Sequence, residues 1–300
     1  MWKDLLQQII NEDAKALARC ISLVENESEG YEKLLLSLPQ NNTAKIIGIT
    51  GPPGAGKSTL ADALIGLLIS DGKKIGVLCV DPSSPFNFGS LLGDRIRMSE
   101  WYNNPNVFIR SLATRGALGG LHPKIIEITD VMKAAGFDYI IIETVGVGQS
   151  EVEIAGLADV TVVVLVPEGG DVIQTMKAGL MEIADIFVVN KSDRPDADTF
   201  VNNLKMMLAP AFQSSSHKID IVKTIASQKE GVKELKEKIF ELMKMDNDEK
   251  KYLLLAEKAW HLIQQKKMNN IDKQLLKENI KLAILTEKEF NIYEFSKGYY

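Results

Sequence analysis

Seven short apolar runs rich in Val and Ile divide the middle of the chain. They are KIIGIT, KIGVLCV, VFIR, YIIIE, VTVVVLV, IFVVN and DIVKT, which begin at residues 45, 74, 107, 139, 160, 186 and 220. Stretches with the apolar spacing of helices lie between them. Continuous Val and Ile runs indicate strands that are covered on both faces. We therefore predict an α/β fold with a mostly parallel central sheet flanked by helices.

The two ends of the chain show helical periodicity outside this sheet. Near the N-terminus we predict two amphipathic helices, DLLQQIINEDAKALARCISLVE and YEKLLLSL, followed by a polar linker. Near the C-terminus we predict charged helices whose apolar stripe must cover either the central domain or a second subunit. The predicted domains are an N-terminal helical extension at 1–42, a central domain at 43–244 and a C-terminal helical arm at 245–300.

Composition narrows the class of protein. Apolar residues make up 45% of the chain and charged residues 25%, as in an ordinary globular domain. The net charge of −5 gives no reason to expect a nucleic-acid surface, and no apolar run approaches the length of a membrane span. The first residues alternate charged and apolar side chains, unlike a secretory signal. We expect a cytoplasmic protein in which Cys20 and Cys79 are buried free thiols.

The segment GPPGAGKST at 51–59 is the most informative motif. It follows the first apolar run and precedes a helix-like stretch, which is the context of a phosphate-binding P-loop. Glycines let the loop wrap closely, while its N–H groups and the helix dipole favour an anion. Lys57 is expected to reach the β- and γ-phosphates, and the Ser58 hydroxyl to ligate Mg²⁺. The predicted nucleotide-binding residues are Gly51, Pro52, Pro53, Gly54, Ala55, Gly56, Lys57, Ser58 and Thr59.

A second motif, NKSD, follows the sixth apolar run. The Asp193 carboxylate can accept hydrogen bonds from the ring N–H and the exocyclic amine of guanine, so it would select GTP over ATP. Asn190 would support the base and the loop, and the Lys191 stem would cover the face of the base. A helix-capping role is the alternative for Asp193. Ala226 and Ser227, after the seventh run, give a weaker signal for amides near the guanine carbonyl.

Acidic residues at the ends of other runs suggest a magnesium environment. Glu143 and Gly146 belong to Glu-Thr-Val-Gly, where most GTPases carry Asp-x-x-Gly. Glu143 would hold the metal shell through water, and the Gly146 N–H would approach the γ-phosphate. Asp81 and Asp94 are candidates for outer-shell ligands or for orienting water. Ordinary turns and helix caps are the alternatives.

The residue after Gly146 predicts slow hydrolysis of GTP. Ras-like enzymes use a Gln at this place to orient the attacking water, but this chain has Val147. Gln149 could replace it only if the loop followed a different path. We therefore predict slow intrinsic hydrolysis that a partner accelerates by about 10³- to 10⁵-fold. The arginines that are candidates for transition-state charge or partner contact are Arg95, Arg97, Arg110 and Arg115, and an ordinary surface position is the alternative for each.

With these motifs, the chain resembles the MeaB/ArgK family of P-loop GTPases, chaperones of adenosylcobalamin-dependent methylmalonyl-CoA mutase. The resemblance covers most of the chain. It rests on GPPGAGKST, VDPSSP with SLLGDRIRM, FIRSLATRGALGG, ETVGVGQSE, PEGGDVIQTMKAG and NKSD. Of these, ETVGVGQSE and the DPSS…GD pair are more specific to the family than the P-loop.

The resemblance implies a GTPase that gates cobalamin loading and protection of the mutase, as a homodimer with the C-terminal helices as dimer arm. It places Asp81, Asp94 and Glu143 around magnesium, and makes Gly146 and the Gln149 region a switch. A further switch at residues 168–177 would signal to the mutase. In that loop the candidate residues are Glu168, Asp171, Gln174 and Lys177, and for the last three a solvated helix face is an equal alternative. The lack of a long leader, unlike mitochondrial relatives, points to bacterial cytoplasm.

Other functions stay open at this point. A nickel-inserting GTPase of the hydrogenase or urease type would call for a Cys/His cluster, which two distant cysteines and three scattered histidines do not supply. A kinase linked to amino-acid transport is a second alternative, against which Asp193 argues. A scaffold that holds nucleotide without hydrolysis is a third, since Val147 replaces the usual Gln. The resemblance implies that the client is methylmalonyl-CoA mutase, isobutyryl-CoA mutase or a related enzyme, with a cobalamin adenosyltransferase as a second candidate partner.

Overall fold

A seven-stranded parallel sheet forms the centre of the computed structural model. The structure describes residues 2–39, 43–81, 98–114, 121–146, 154–167, 183–214, 219–244, 248–268, 271–286 and 290–299. The strands are β1 (Lys45–Thr50), β2 (Ile75–Asp81), β3 (Val107–Ala113), β4 (Tyr139–Glu143), β5 (Val160–Leu165), β6 (Ile186–Val189) and β7 (Asp220–Lys223). Their order is β3-β2-β4-β1-β5-β6-β7, and every ladder is parallel. The predicted fold is confirmed, and each apolar run forms a strand.

Helices cover both faces of this sheet. The helices of the described ranges are α1 (Trp2–Ile10), α2 (Ala14–Glu25), α3 (Tyr31–Leu36), α4 (Lys57–Ser70), α5 (Ile125–Lys133), α6 (Ala197–Ser214), α7 (Val232–Lys244), α8 (Asp248–Met268), α9 (Lys273–Thr286) and α10 (Ile292–Ser296). On one face, α1–α3 and α5 pack against β1, β2 and β4, and α6 packs against β5 and β6. On the other face lie α4 and α7. Covering on both faces explains why β1, β2, β4, β5 and β6 are mainly apolar, whereas the edge strands β3 and β7 are partly exposed.

The N-terminal pattern was interpreted wrongly in one respect. The run predicted as one helix over 4–25 is broken into α1 and α2. The Asp13 carboxylate accepts hydrogen bonds from Lys15 N at 2.8 Å and Ala16 N at 2.9 Å, so it caps a new helix. Glu12, just before it, has a φ of 65°, which is incompatible with a continuous helix.

The chain divides into two compact units, Met1–Asp248 and Glu249–Tyr300. The second contains most of α8 together with α9 and α10, and many of its large apolar side chains are exposed. Leu285 is 81% exposed and Tyr293 is 79% exposed. No helix in the described ranges is both long enough and apolar enough to span a bilayer.

Both cysteines are buried free thiols, as predicted. Cys20 lies on α2, within the core between the N-terminal helices and the sheet. Burial disfavours the thiolate and raises the pKa of Cys20 to about 11.

Candidate functional site

The predicted motifs meet at the carboxyl edge of the sheet. The P-loop leaves β1 and leads into α4, in the middle of the strand order. Asp81 ends β2, Glu143 ends β4, and Asn190 follows β6. The crevice outside the carboxyl ends of the strands is where open α/β sheets bind ligands. Strand order thus collects residues that are far apart in sequence into one site.

Two P-loop glycines are required by close contacts. Gly51 has a φ of 133°, and a Cβ there would lie 2.1 Å from the Val164 carbonyl oxygen. Gly56 has a φ of 88°, and a Cβ there would lie 2.4 Å from Asn190 Nδ2. Gly54 has space around it and is favoured by its φ of 76° alone. The loop therefore has no room for side chains against β5 or against Asn190.

Lys57 bends back over the loop. Its Nζ donates to the Gly51 carbonyl at 2.8 Å and to the Pro52 carbonyl at 3.1 Å, and the residue is buried. Gly146 lies against the same place, because a Cβ on it would be 2.4 Å from both Lys57 Nζ and Gly51 O. The segment after β4 is thus in direct contact with the P-loop and its cation. A phosphate held by Lys57 would be within reach of this segment.

Ser58 and Glu143 form a direct hydrogen bond at the start of α4. Ser58 Oγ donates to Glu143 Oε1 at 2.6 Å, and both residues are buried. Asp81 is also buried and lies on the adjacent strand, two residues beyond the Cys79 that pairs with Glu143. Hydroxyl and carboxylate oxygens are ligands that Mg²⁺ prefers, so these three residues fit a magnesium ion. Across the described ranges, no group of three or more His, Cys, Asp and Glu residues is placed to hold a metal.

The Asn190 amide connects three segments. Its Nδ2 donates to the Ala55 carbonyl at 2.9 Å, while its Oδ1 accepts from Thr224 Oγ1 and from Ala226 N, each at 3.1 Å. Ser192 N also donates to the Thr224 carbonyl at 3.1 Å. The P-loop, NKSD and the turn after β7 are therefore held in one arrangement. Sequence reasoning missed the part that Thr224 plays, although its place directly before Ile-Ala-Ser was a usable signal.

The other predicted nucleotide-binding residues differ in how exposed they are. Lys191 is half-buried, with a φ of 55°. Asp193 is exposed, Ala226 is buried and Ser227 is exposed. Thr59, also half-buried, is on the first turn of α4.

A buried pair of hydroxyls was also missed by sequence reasoning. Thr50 Oγ1 and Thr144 Oγ1 are 2.9 Å apart, where β1 and β4 end. Nothing in the sequence pairs two threonines separated by 94 positions. Only the adjacency of β1 and β4 brings them together.

Arg110 contacts the N-terminal helices. Its Nη2 donates to Glu25 Oε2 at 2.8 Å and to Ser22 Oγ at 3.1 Å, so these contacts join β3 to α2. His122 is buried, and its Nδ1 accepts a hydrogen bond from Lys124 N at 3.0 Å. Burial alone would lower the pKa of Lys124, but hydrogen bonding to Glu27 and the Glu127 charge outweigh it and raise that pKa.

Several predicted residues lie outside the described ranges. They are Asp94, Val147, Gln149, Glu168, Asp171, Gln174 and Lys177, together with Arg95, Arg97 and Arg115.

Comparison with known proteins gives a consistent set of relatives. A family model described as methylmalonyl Co-A mutase-associated GTPase MeaB matches residues 17–279. A Pyrococcus abyssi protein, whose name assigns it provisionally to the GTPases, is 47% identical over 245 residues, covering 80% of this chain and 76% of the relative. The Escherichia coli GTPase ArgK is 39% identical over 229 residues, covering 73% of this chain and 69% of ArgK.

Two further matches concern a larger enzyme and a solved structure. A fused isobutyryl-CoA mutase of Geobacillus kaustophilus is 37% identical over 239 residues, which are 75% of this chain and 22% of that protein. A crystal structure described as a LAO/AO transport system kinase matches with a TM-score of 0.65 over 99% of this chain and 96% of that one. At 24% sequence identity, this second match shows the shared fold alone.

Proposed function

Because the chain belongs to the MeaB family of methylmalonyl Co-A mutase-associated GTPases, we propose that it is a GTP-hydrolysing chaperone of a cobalamin-dependent mutase. The resemblance inferred from the motifs is confirmed. In this proposal, GTP binding and hydrolysis gate the loading and protection of cobalamin in an adenosylcobalamin-dependent acyl-CoA mutase. The observation that carries the nucleotide part is the Asn190 amide, which ties the P-loop to both segments expected around guanine.

The proposed site divides into a phosphate end and a base end. At the phosphate end, Lys57 and the loop amides neutralise charge that develops as water attacks the γ-phosphate. At the base end, Asp193 accepts two hydrogen bonds from guanine, an arrangement that adenine cannot match. Ser58, Glu143 and Asp81 would hold Mg²⁺, with Asp94 as a further candidate. When bound, Mg²⁺ supplies positive charge to the β- and γ-phosphate oxygens.

The proposed reaction is slow without a partner. Val147 offers no group to orient water, and Gln149 is two residues further along the chain. A partner that completes the site would then control turnover. The loop with Glu168, Asp171, Gln174 and Lys177 is the proposed contact through which the mutase senses the nucleotide.

Relatives support a mutase as the client. The family description names methylmalonyl Co-A mutase, and the matching region in Geobacillus kaustophilus is part of a fused isobutyryl-CoA mutase. We propose methylmalonyl-CoA mutase as the first candidate client and a cobalamin adenosyltransferase as a further partner. The exposed apolar side chains of Glu249–Tyr300 support a homodimer formed through this arm.

Phosphate release by the full chain tests this proposal. GTP and Mg²⁺ are supplied alone, with methylmalonyl-CoA mutase, or with isobutyryl-CoA mutase, and the K57A variant measures background. We expect slow turnover alone and a rise of at least about 1,000-fold with one mutase, while ATP is not hydrolysed. Equal turnover with and without both mutases would contradict the chaperone role. Equal hydrolysis of ATP would contradict the guanine site.

A further inference from the structure

Two buried hydroxyls link the strands from which the phosphate-binding segments leave. Thr50 is the last residue of β1, and Thr144 comes directly after β4. Their Oγ1 atoms are 2.9 Å apart, and either one can be the donor. Thr50 is 0% exposed and Thr144 is 2% exposed. We call these two residues the threonine pair.

The threonine pair extends the contact between β1 and β4 beyond their last paired residues. The ladder register matches Ile49 with Glu143, and Thr144 N then donates to the Ile49 carbonyl at 3.0 Å. The next residue of β1 is Thr50, whose hydroxyl meets that of Thr144. The side chains therefore hold the two chain segments together at the point where they turn towards the site.

Each threonine lies just before a segment that faces the phosphates. Thr50 precedes Gly51, whose carbonyl oxygen accepts from Lys57 Nζ at 2.8 Å. Thr144 is two residues before Gly146, whose Cβ position lies 2.4 Å from that same Nζ. The separation of Gly146 from Lys57 thus depends on how β1 and β4 are held together at their ends.

Packing alone does not require hydroxyls here. Val has nearly the same shape as Thr, favours strands, and can be buried without a hydrogen-bond partner. A single hydrogen bond between buried neutral groups adds about 1 kcal/mol to stability, which two well-packed methyl groups can replace. What valines cannot supply is a directional link between the two strand ends.

We infer that the threonine pair is a positioning device that lets the site distinguish GTP from GDP. This inference rests on the proposed function. A γ-phosphate can contact Lys57 and the Gly146 N–H together only if the P-loop and the segment after β4 keep a fixed separation. GDP has no γ-phosphate, so its binding depends on the P-loop and not on this separation. Loosening the link therefore weakens binding of GTP selectively.

The test compares the T50V, T144V and T50V/T144V variants of the full chain by calorimetry with Mg²⁺. The readout is the ratio of the Kd for a non-hydrolysable GTP analogue to the Kd for GDP. Each single variant is expected to raise this ratio about 5-fold, the effect of one lost neutral hydrogen bond. The double variant should raise it no further, since both changes remove the same bond.

The matched control is T129V. Thr129 is fully buried on α5 and donates through Oγ1 to the Ile125 carbonyl at 2.6 Å, so its loss also removes one buried hydrogen bond. T129V should lower the melting temperature and leave the ratio unchanged. T50S and T144S, which keep the hydroxyls, should retain the wild-type ratio even if they are less stable.

The melting temperatures and the Kd ratios together distinguish a positioning role of the threonine pair from a purely structural one. If the threonine pair were purely structural, the single variants would melt at a lower temperature than wild type and the double variant would melt close to wild type. The ratio of the two Kd values would then be unchanged in all three variants. That result overturns the inference, as would an equal shift in T129V. The double variant leaves no unpaired hydroxyl. If the single variants do not fold, the inference is therefore tested by the ratio of the two Kd values in the double variant. A wild-type protein that binds neither nucleotide refutes the proposed function itself, whatever the pair does.

Discussion

The Asn190 side chain shows how one residue can organise a site. Its amide donates to the P-loop at Ala55 and accepts from Thr224 and Ala226 on the far side. The residue is buried, so each of these groups would lose a partner if the amide were removed.

We predict that N190A weakens GDP binding about tenfold and lowers the free energy of unfolding by about 3 kcal/mol. Both effects follow from the unpaired groups that the variant leaves in the core. Calorimetry and urea unfolding measure them, with N203A, at an exposed site on α6, as the matched control. Affinity for GDP equal to that of the control would show that the amide does not organise the site.

Motifs formed by residues close together in sequence could be predicted, whereas contacts between residues far apart in sequence could not. The P-loop prediction needed only a strand, a glycine-rich turn and a helix, all within 45–70, and the structure has that order. The partners of the Asn190 amide lie 135, 34 and 36 positions away from it, and the two members of the threonine pair are 94 positions apart. Such contacts depend on strand order, which no local pattern specifies.

At the scale of elements, strands were easier to predict than helix boundaries. The five inner strands have nearly continuous apolar runs because both faces of the sheet are covered there, and the edge strands β3 and β7 have shorter ones. The break between α1 and α2 was missed because the apolar periodicity continues across it. There the capping hydrogen bonds of Asp13 outweigh the preference for one long helix.

The cap gives a prediction with a pH dependence. Hydrogen bonds from Ala16 N and Lys15 N hold the pKa of the Asp13 carboxyl below its ordinary value of 3.8. A lowered folded-state pKa gives stability that is complete above 3.8 and is lost as pH falls through the folded value. D13A should therefore lower the urea midpoint at pH 7, and the difference from wild type should shrink as the pH falls below that value.

D13N is the control for this effect. Asn also caps helices, as Asn291 does for α10, so D13N should keep most of the midpoint at pH 7. Because an amide does not titrate, D13N should also lack the part of the fall in urea midpoint at acid pH that comes from protonation of Asp13. A midpoint for D13A equal to that of wild type at pH 7 would show that the cap contributes nothing.

At the scale of the whole molecule, the two compact units differ in how they cover apolar side chains. Met1–Asp248 buries its large clusters between helices and sheet, whereas α9 carries Leu282 and Leu285 at 59% and 81% exposure. Residues three apart on a helix share a face. An exposed apolar face of this kind favours association with a second copy.

We predict that L282K/L285K converts a dimer into a monomer. Two charges on the apolar face would have to lose water on association, so the dimer should dissociate. Light scattering after size exclusion measures the mass. L36K, which replaces a leucine 85% exposed on α3, is the matched control and should remain dimeric. A monomeric wild type, or a double variant that stays dimeric, would rule out this face as the arm contact.

The central claim is that a guanine nucleotide lies across the carboxyl edge, with its phosphates at Lys57 and its base at Asp193. The most direct test is calorimetric binding of GDP, ADP and xanthosine diphosphate, each with Mg²⁺, to wild type, D193N and the neighbouring control D196N. Guanine donates two hydrogens to a carboxylate, whereas xanthine presents a carbonyl that an amide can bind. We predict that wild type and D196N bind GDP at least about 100-fold more tightly than ADP. D193N should lose this preference for GDP and should bind xanthosine diphosphate more tightly than wild type does. Equal binding of ADP by wild type, or unchanged GDP binding by D193N, would contradict the account.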